Sequence, residues 1–304
     1  FQTTSWNGTQ VLGSTRTDSG NAVKIDSSGN IYITGDTYGE FDGNTSSGDY
    51  DYDIFLVKYN SSGIKQWSKQ LGTSSNDYGR DVTTDSSNNI YVTGYTYGLF
   101  DGNSSSGDAD FFLAKYYDNG TKQWIKQLGT SGVDLGRGVA IDSSNNIYVT
   151  GSTSGGLDGT NSGSYDIFLA KYYDNGTNQW TKQLGTSSGE QGKGVAVDSS
   201  DNIYVTGSTY GGLDGNSNSG SSDIFLVKYY DNGTKQWTQQ LGTSGSDVGY
   251  RVTVDNSSNI YITGYTAGGL DGNTNAGGWD IFLVKYNSSG TKQWTKQLGT
   301  SEGD

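Results

Sequence analysis

Four copies of one loop, Asp-Gly-Asn-x-Ser/Asn-x-Gly-x-x-Asp, begin at Asp42, Asp101, Asp214 and Asp271. A fifth, beginning at Asp158, is one residue shorter and has Thr160 where the others have Asn. Side-chain oxygens at the first, third and fifth positions followed by glycine suit Ca2+, which takes six to eight oxygen donors. Asp42, Asn44, Asp101, Asn103, Asp158, Asp214, Asn216, Asp271 and Asn273 are therefore the candidate calcium ligands. The loop lacks the distal bidentate Glu, and its glycine falls one place late. The same residues read equally as a tight loop held by local side-chain hydrogen bonds. Of the 32 acidic residues only Glu40, Glu190 and Glu302 are Glu. Short carboxylates suit turns and loop-borne ions alike, so this bias does not choose between the two.

Other chemistry is largely excluded by what is missing. The chain has no His and no Cys. That removes Ser-His-Asp and Cys-His catalysis, zinc-histidine sites, thiol nucleophiles and disulfides. Carboxylate pairs such as Asp51 and Asp53 have the residue types of a glycosidase, but Asp is too common for proximity to mean much. Gly192-Lys193-Gly194 is not a phosphate loop, because Ser187 stands where glycine is required and no Ser or Thr follows the Lys. The chain is expected not to be an enzyme.

Nine Asn-x-Ser/Thr sequons occur, at Asn7, Asn44, Asn60, Asn103, Asn119, Asn175, Asn232, Asn256 and Asn287. Five of them, Asn60, Asn119, Asn175, Asn232 and Asn287, recur at one place in a repeat and are candidate glycosylation sites. A glycan-binding surface would need aromatic platforms. Tyr52, Tyr165 and Trp279 stand before one strand of the repeat, with Ala109 and Ser222 at the same place in the other copies; Tyr38, Tyr97 and Tyr210 follow another strand.

The formal net charge is −13 with no basic run, which argues against nucleic acid. The longest apolar runs, such as Ile54-Phe55-Leu56-Val57 and Ile281-Phe282-Leu283-Val284, are four residues, far short of a membrane span. Among 304 residues, 23 Tyr, 9 Phe and 7 Trp argue against disorder. The chain starts at Phe1 and is read as a processed or cropped product.

These residues are positioned by repetition. Ile-Tyr-Ile/Val-Thr-Gly starts at Ile31, Ile90, Ile147, Ile203 and Ile260, at intervals of 59, 57, 56 and 57. Trp67, Trp124, Trp180, Trp237 and Trp294 follow the same period. Each unit holds four strand-like runs, a to d. In the second unit these are Arg80–Asp85, Asn89–Thr96, Asp110–Tyr116 and Lys122–Leu128. Strand c is apolar on both faces, as in a sheet with a sheet on either side. Strand d alternates, with Trp67 and Leu71 on one face. No stretch has helical periodicity. Four antiparallel strands, repeated radially, predict an all-β chain, a β-propeller of five four-stranded blades. It is expected as a single domain over 1–304, with repeats at about 22–72, 80–129, 138–185, 194–242 and 251–299.

The run GVAVDSSDNIYVTGSTYGGLDGN…DIFLVKYYDNGTKQW, Gly194–Trp237, resembles the SBBP-type β-propeller repeats of bacterial and archaeal surface and secreted proteins. It is more distantly similar to the NHL repeat. The resemblance covers essentially the whole chain and implies strand a innermost and strand d outermost. It implies no activity. The family name suggests seven blades, whereas five copies are present.

Strand direction places the Asp-Gly-Asn loops on one face with Asp77, Asp134 and Asp247, which is expected to be acidic. The count of d-like strands is six, because Ser5–Gly13 matches the Lys-Gln-Trp strand; residues 1–14 form the surplus. Either that strand or Thr291–Gly299 is expected to be left over. Trp6, Leu12, Trp294 and Leu298 are then the residues of a strand exchange, because unpaired edges are templates for another chain. The functional expectation is a non-catalytic extracellular or cell-surface structural or adhesive propeller, extended by strand donation into fibres. The alternative is a glycan-binding module. Self-association and glycans are the expected partners, without nucleic acid or membrane insertion, and Ca2+ is the only cofactor considered.

Overall fold

The computed structural model describes residues 11–48 and 50–303. The chain divides into two compact units, Phe1–Gly136 and Arg137–Asp304. The described residues form five separate four-stranded sheets, each an antiparallel meander in chain order. The described residues contain no α-helix.

The first unit holds blade I, made of β1 (Asp18–Ile25), β2 (Ile31–Tyr38), β3 (Tyr52–Tyr59) and β4 (Lys65–Leu71), and blade II, made of β5 (Asp77–Thr84), β6 (Ile90–Thr96), β7 (Asp110–Tyr116) and β8 (Lys122–Leu128). The second holds blade III, with β9 (Asp134–Ile141), β10 (Ile147–Thr153), β11 (Asp166–Tyr172) and β12 (Asn178–Leu184). Blade IV has β13 (Glu190–Val197), β14 (Ile203–Thr209), β15 (Asp223–Tyr229) and β16 (Lys235–Leu241). Blade V has β17 (Asp247–Val254), β18 (Ile260–Thr266), β19 (Asp280–Tyr286) and β20 (Lys292–Leu298). The opening strand β9 begins within the last three residues of the first unit.

Strands b, c and d fall within a residue of their expected limits. Strand a does not: in the second repeat it opens at Asp77, three residues before Arg80. The residues missed are those a strand rarely carries. Gly79 pairs with Gly94 across the a–b ladder, and the register slips between Gly79 and Asp81, which is a β-bulge. A Cβ on Gly94 would lie 1.8 Å from the Tyr78 carbonyl oxygen, so only glycine lets the two strands approach. The same pairing recurs at Gly20–Gly35, Gly192–Gly207 and Gly249–Gly264.

The core lies between blades. In the first unit, Ile54 and Leu56 of β3 pack with Phe112 and Ala114 of β7. In the second, Ile167 and Leu169 meet Phe225 and Val227, and Ile224 and Leu226 meet Phe282 and Val284. Strand β15 thus buries one face against blade III and the other against blade V, which is why it is apolar throughout.

The expected acidic face is not what the structure shows around strand a. Asp77, Asp134 and Asp247 are fully buried, each the first residue of its strand a. Asp77 Oδ2 accepts from the Thr73 N–H at 2.6 Å and from the Thr73 hydroxyl at 3.1 Å. Glu190 does the same for Thr186 in blade IV. A second buried carboxylate opens strand c: Asp53 Oδ2 accepts from the Ser47 N–H at 2.8 Å and from Gln70 Nε2 at 2.7 Å. A third stands at the a–b turn, where Asp26 accepts from the N–H groups of Ser28 and Asn30 and from the Tyr32 hydroxyl. Aspartate is frequent here because each repeat uses three carboxylates to satisfy buried donors.

Candidate interaction surfaces

The Asp-Gly-Asn loops turn through the left-handed region, with φ of 52° at Asp42, 53° at Asp214 and 55° at Asp271, each followed by a glycine near +78°. Asn44, Asn216 and Asn273 close the turn by donating Nδ2–H to the carbonyls of Phe41, Leu213 and Leu270, at 2.8–2.9 Å. Asn103 does so to Phe100 and to Asp101 at 3.4 and 3.1 Å. Three of the aspartates meet a strand-d lysine: Asp42 pairs with Lys65 at 2.5 Å, Asp214 with Lys235 and Asp271 with Lys292. Burial opposes ionisation of Asp42, but hydrogen bonds from Lys65 and Ser68 outweigh it and hold its carboxyl below the usual range. Asp158 accepts the Gln183 N–H at 2.9 Å. The carboxylates of Asp42, Asp158, Asp214 and Asp271 are thus taken up by the protein's own donors. Among the described residues no three acidic side chains gather as a metal cluster.

The five recurring sequons sit at the c–d turns. Asn119, Asn175 and Asn232 are exposed, and each accepts the N–H of the Thr two residues on at 2.9 Å. Asn60 and Asn287 accept two backbone N–H groups each. These turns also join blade to blade, a role not read from the sequence. In the first unit, Lys58 of β3 is buried against Asp118 of the next turn. The Tyr32 hydroxyl donates to the same carboxylate at 2.7 Å, and Trp67 Nε1 donates to the Asp118 carbonyl at 3.1 Å. Burial, then hydrogen bonds to Asp118 and Asp26, push the Tyr32 hydroxyl pKa far up. In the second unit Lys171 and Tyr148 hold Asp231 in the same way. Burial works against Asp231, yet Lys171 and Tyr148 pull it below its ordinary value. The last latch differs. Blade V has Ser288 at the aspartate's place, and Lys228 donates to the Ser288 carbonyl at 3.2 Å. A glycine seats each turn on the preceding tryptophan: a Cβ on Gly120, Gly233 or Gly290 would lie 3.1, 3.3 or 3.0 Å from the ring of Trp67, Trp180 or Trp237.

Blade V presents these same groups to solvent. Ile281 is 50% and Leu283 40% exposed, where Ile224 and Leu226 of blade IV are at 2% and 1%. Trp294 and Leu298 are exposed beside them. Lys285 lies 5.4 Å from the centre of the Tyr261 ring, half-buried. Trp294 and Leu298 belong to β20, which is paired in register with β19, Trp294 opposite Lys285 and Leu298 opposite Ile281. The outer place of blade V is thus filled from its own repeat, one of the two expected arrangements, while residues 1–10 of the other strand lie outside the described residues. Trp6 and Asn7 lie outside the described residues. Leu12 is half-buried and outside any strand, packed with Ile33 and Tyr59 against Phe41, Phe55 and Val57.

The aromatic candidates fall into two strips. In the first unit Tyr38 contacts Tyr52, Tyr52 stacks on Tyr78, and Tyr78 meets Tyr95 and Tyr97. In the second, Trp279 stacks on Tyr265. Ala109, Tyr165 and Ser222 instead form short parallel bridges to Val133, Gly189 and Ser246.

Blades of this order, with outer strands latched to the next turn, define an all-β propeller-repeat protein. The chain belongs to the SBBP β-propeller repeat family, whose profile matches residues 8–42, 66–101, 123–158, 179–214 and 236–271. Each match ends at the aspartate of a loop described above. An uncharacterized WD repeat-containing protein of Acanthamoeba polyphaga mimivirus is 26% identical over 266 residues, covering 77% of this chain and 16% of the relative. The regulatory protein FlaEY of Caulobacter vibrioides is 27% identical over 180 residues, 52% of this chain and 19% of that protein. The chain thus spans less than a fifth of either relative. Among solved structures, the NanB sialidase of Streptococcus pneumoniae aligns with a TM-score of 0.57 and 11% identity, over 93% of this chain and 61% of that one. Virginiamycin B lyase of Staphylococcus aureus aligns at 0.52 with 9% identity, over 95% and 73%. An ulvan lyase aligns at 0.52 with 14% identity, over 90% and 69%. At such identities the likeness is one of fold.

Proposed function

We propose that this chain is a non-catalytic structural or adhesive protein of the extracellular space or cell surface, which joins to further copies of itself through its end blades. The observation that carries the reading is the apolar face of blade V, where Ile281 and Leu283 stand half in water. Contiguous exposed apolar surface of this kind marks an interaction site. The complementary surface is on blade I. Val23 is 64% exposed where its counterpart Val82 is at 4%. A groove beside it is lined by Leu12, Ile33, Phe41, Phe55, Val57 and Tyr59. The c–d turn of blade I, Asn60-Ser61-Ser62-Gly63, has the sequence of Asn287-Ser288-Ser289-Gly290, the turn that Lys228 and Trp237 receive. Lys285 and Trp294 offer the same receptor to a second copy. A head-to-tail contact that does not close extends into a filament.

The non-catalytic part of the reading rests on the absent histidines and thiols. A histidine-to-alanine variant of the virginiamycin B lyase is catalytically inactive, and this chain has no histidine. The extracellular placement follows the surface and secreted proteins that carry such repeats. For the Asp-Gly-Asn loops to take calcium, the ion must displace Lys65, Lys235 and Lys292. A melting temperature unchanged between chelator and excess calcium leaves them their loop-building role.

Sedimentation velocity over a concentration series tests the assembly. The intact chain is expected to polymerise, and Ile281→Asp with Leu283→Asp to leave folded monomers. Deleting residues 1–14 in parallel separates strand donation by that segment from docking of the blade V face. A chain that stays monomeric at high concentration, or polymers that survive both changes, overturns the proposal.

A further inference from the structure

Cations are scarce in this chain, 19 against 32 acidic groups, yet several gather at one end of the strand-a row in the second unit. Strands β9, β13 and β17 lie close together because the positions between them are glycines. A Cβ on Gly138 would be 3.2 Å from the Lys193 carbonyl oxygen, and one on Gly194 would be 3.0 Å from that of Tyr250. This close approach sets Arg137, Lys193 and Tyr250, which hold the same place in three successive strands, side by side. Arg251 Nη1 donates to the Lys193 carbonyl at 3.4 Å and adds a third cation.

From Lys193 a strip of rings runs outward. The Lys193 ammonium lies 5.1 Å from the centre of the Tyr250 ring. Tyr250 and Tyr265 are 5.7 Å apart, and Tyr265 stacks on Trp279 at 5.0 Å with 24° between planes. Tyr250 is 46% and Trp279 51% exposed, so the strip is open to solvent. The first unit shows what a self-satisfied version looks like. There Arg80 lies over Tyr78 and Tyr95, donates to the Tyr95 hydroxyl at 2.9 Å, and is paired at 3.4 Å with the Asp36 carboxylate. Lys193 has a neutral partner instead, the Gln191 side-chain oxygen at 2.9 Å, and no carboxylate within ion-pair distance among the described residues. Burial, and then the nearby Arg137 charge, lower its pKa to about 8. An arriving anion would act against both by favouring the charged ammonium.

We propose that this strip binds an acidic oligosaccharide. Sugar rings lie along Trp279 and Tyr265, and a uronate carboxylate meets Lys193. Exposed rings offer the flat, amphipathic surface that a pyranose face needs, and the ammonium gives a charge-assisted hydrogen bond that fixes orientation. With no basic run, the chain has nothing to track a phosphate backbone, whereas one local cation suffices for one carboxylate. The Lys193 end of this strip is separate from the self-association proposed above, whereas Trp279 stands two residues before Ile281, beside that face.

The test is calorimetric titration of the full chain with a short oligogalacturonate, a neutral cello-oligosaccharide of the same length, and a single-stranded oligonucleotide. Saturable binding of the oligogalacturonate alone is expected. Lys193→Gln should weaken it about tenfold, the loss of one charged contact. Trp279→Ala should weaken it by at least as much, and Tyr78→Ala in the first unit should leave it unchanged. Melting curves of all three variants confirm that they fold. No saturable binding, equal binding of the neutral sugar, preference for the oligonucleotide, or indifference to both Lys193→Gln and Trp279→Ala overturns the assignment.

Discussion

The heptapeptide Asp-Ile-Phe-Leu-Val-Lys-Tyr occurs unchanged at 223–229 in blade IV and at 280–286 in blade V. In blade IV all seven residues are buried; in blade V Ile281 and Leu283 are exposed and Lys285 is half-buried. Local sequence is held constant, so the difference belongs wholly to the neighbour. Phe225, Val227 and Tyr229 pack on the blade before, and Phe282, Val284 and Tyr286 do the same, buried in both. Only the forward face changes. A blade of this family therefore encodes half of its core as a requirement for the next blade, as in linear repeat arrays whose stability is a sum of unit and interface contributions.

The largest expected contrast is between two leucines. Leu226→Ala removes a packed side chain and should cost about 2–5 kcal/mol. Leu283→Ala, on the open face, should cost under about 1 kcal/mol in the monomer. Urea unfolding of each variant measures both, and equal costs would break the comparison. Next in size is the latch: Asp231→Ala leaves buried Lys171 without its carboxylate and should cost about 1–2 kcal/mol, discounted for the half-exposed Asp231. The converse change sharpens the point. Ser288→Asp gives Lys228 a carboxylate in place of a carbonyl, and a gain of up to about 1 kcal/mol is expected as a higher melting temperature.

The smallest effect is in pH. Burial pushes Asp77 up to about 7, above the ordinary carboxylate value of 3.8, with its hydrogen bonds to Thr96 and Thr73 working the other way. Between about pH 4 and 7 the folded chain then holds this proton more tightly than the unfolded chain. Stability from this group therefore falls as pH rises through that window. The first unit should melt a few degrees higher at pH 5 than at pH 8, and Asp77→Asn should flatten that slope in differential scanning calorimetry.

Strands b, c and d were legible because Val, Ile, Tyr and Phe cluster there between turn residues. Strand a was misplaced because Gly79 and its bulge carry a conformation that composition reads as loop. Asp77 was assigned to an acidic surface because nothing in its immediate sequence announces burial. Its burial depends on Thr73 and on the preceding blade. The latch was missed for a related reason: Lys58 and Asp118 stand 60 residues apart, in different repeats. One signal was present. Blades II, III and IV carry Asp-Asn-Gly at the c–d turn, whereas blades I and V carry Asn-Ser-Ser-Gly. The Asp-Gly-Asn loops and the five recurring sequons lie in loops and turns, since Gly, Asn and Asp mark φ > 0 wherever they cluster.

The three structural carboxylates of each repeat bear on how the chain's acidity should be understood. Fifteen of its 32 acidic residues hold the strand-a start, the strand-c start or the a–b turn. Asp18, Asp53 and Asp26 are the set in blade I. A pI near 4.3 ordinarily suggests a hydration coat suited to brine. Here nearly half of the carboxylates serve as internal fasteners for N–H and O–H groups, at contact distances that dissolved salt screens little. That share of the acidity is building material, and those fasteners should hold in fresh water as in brine.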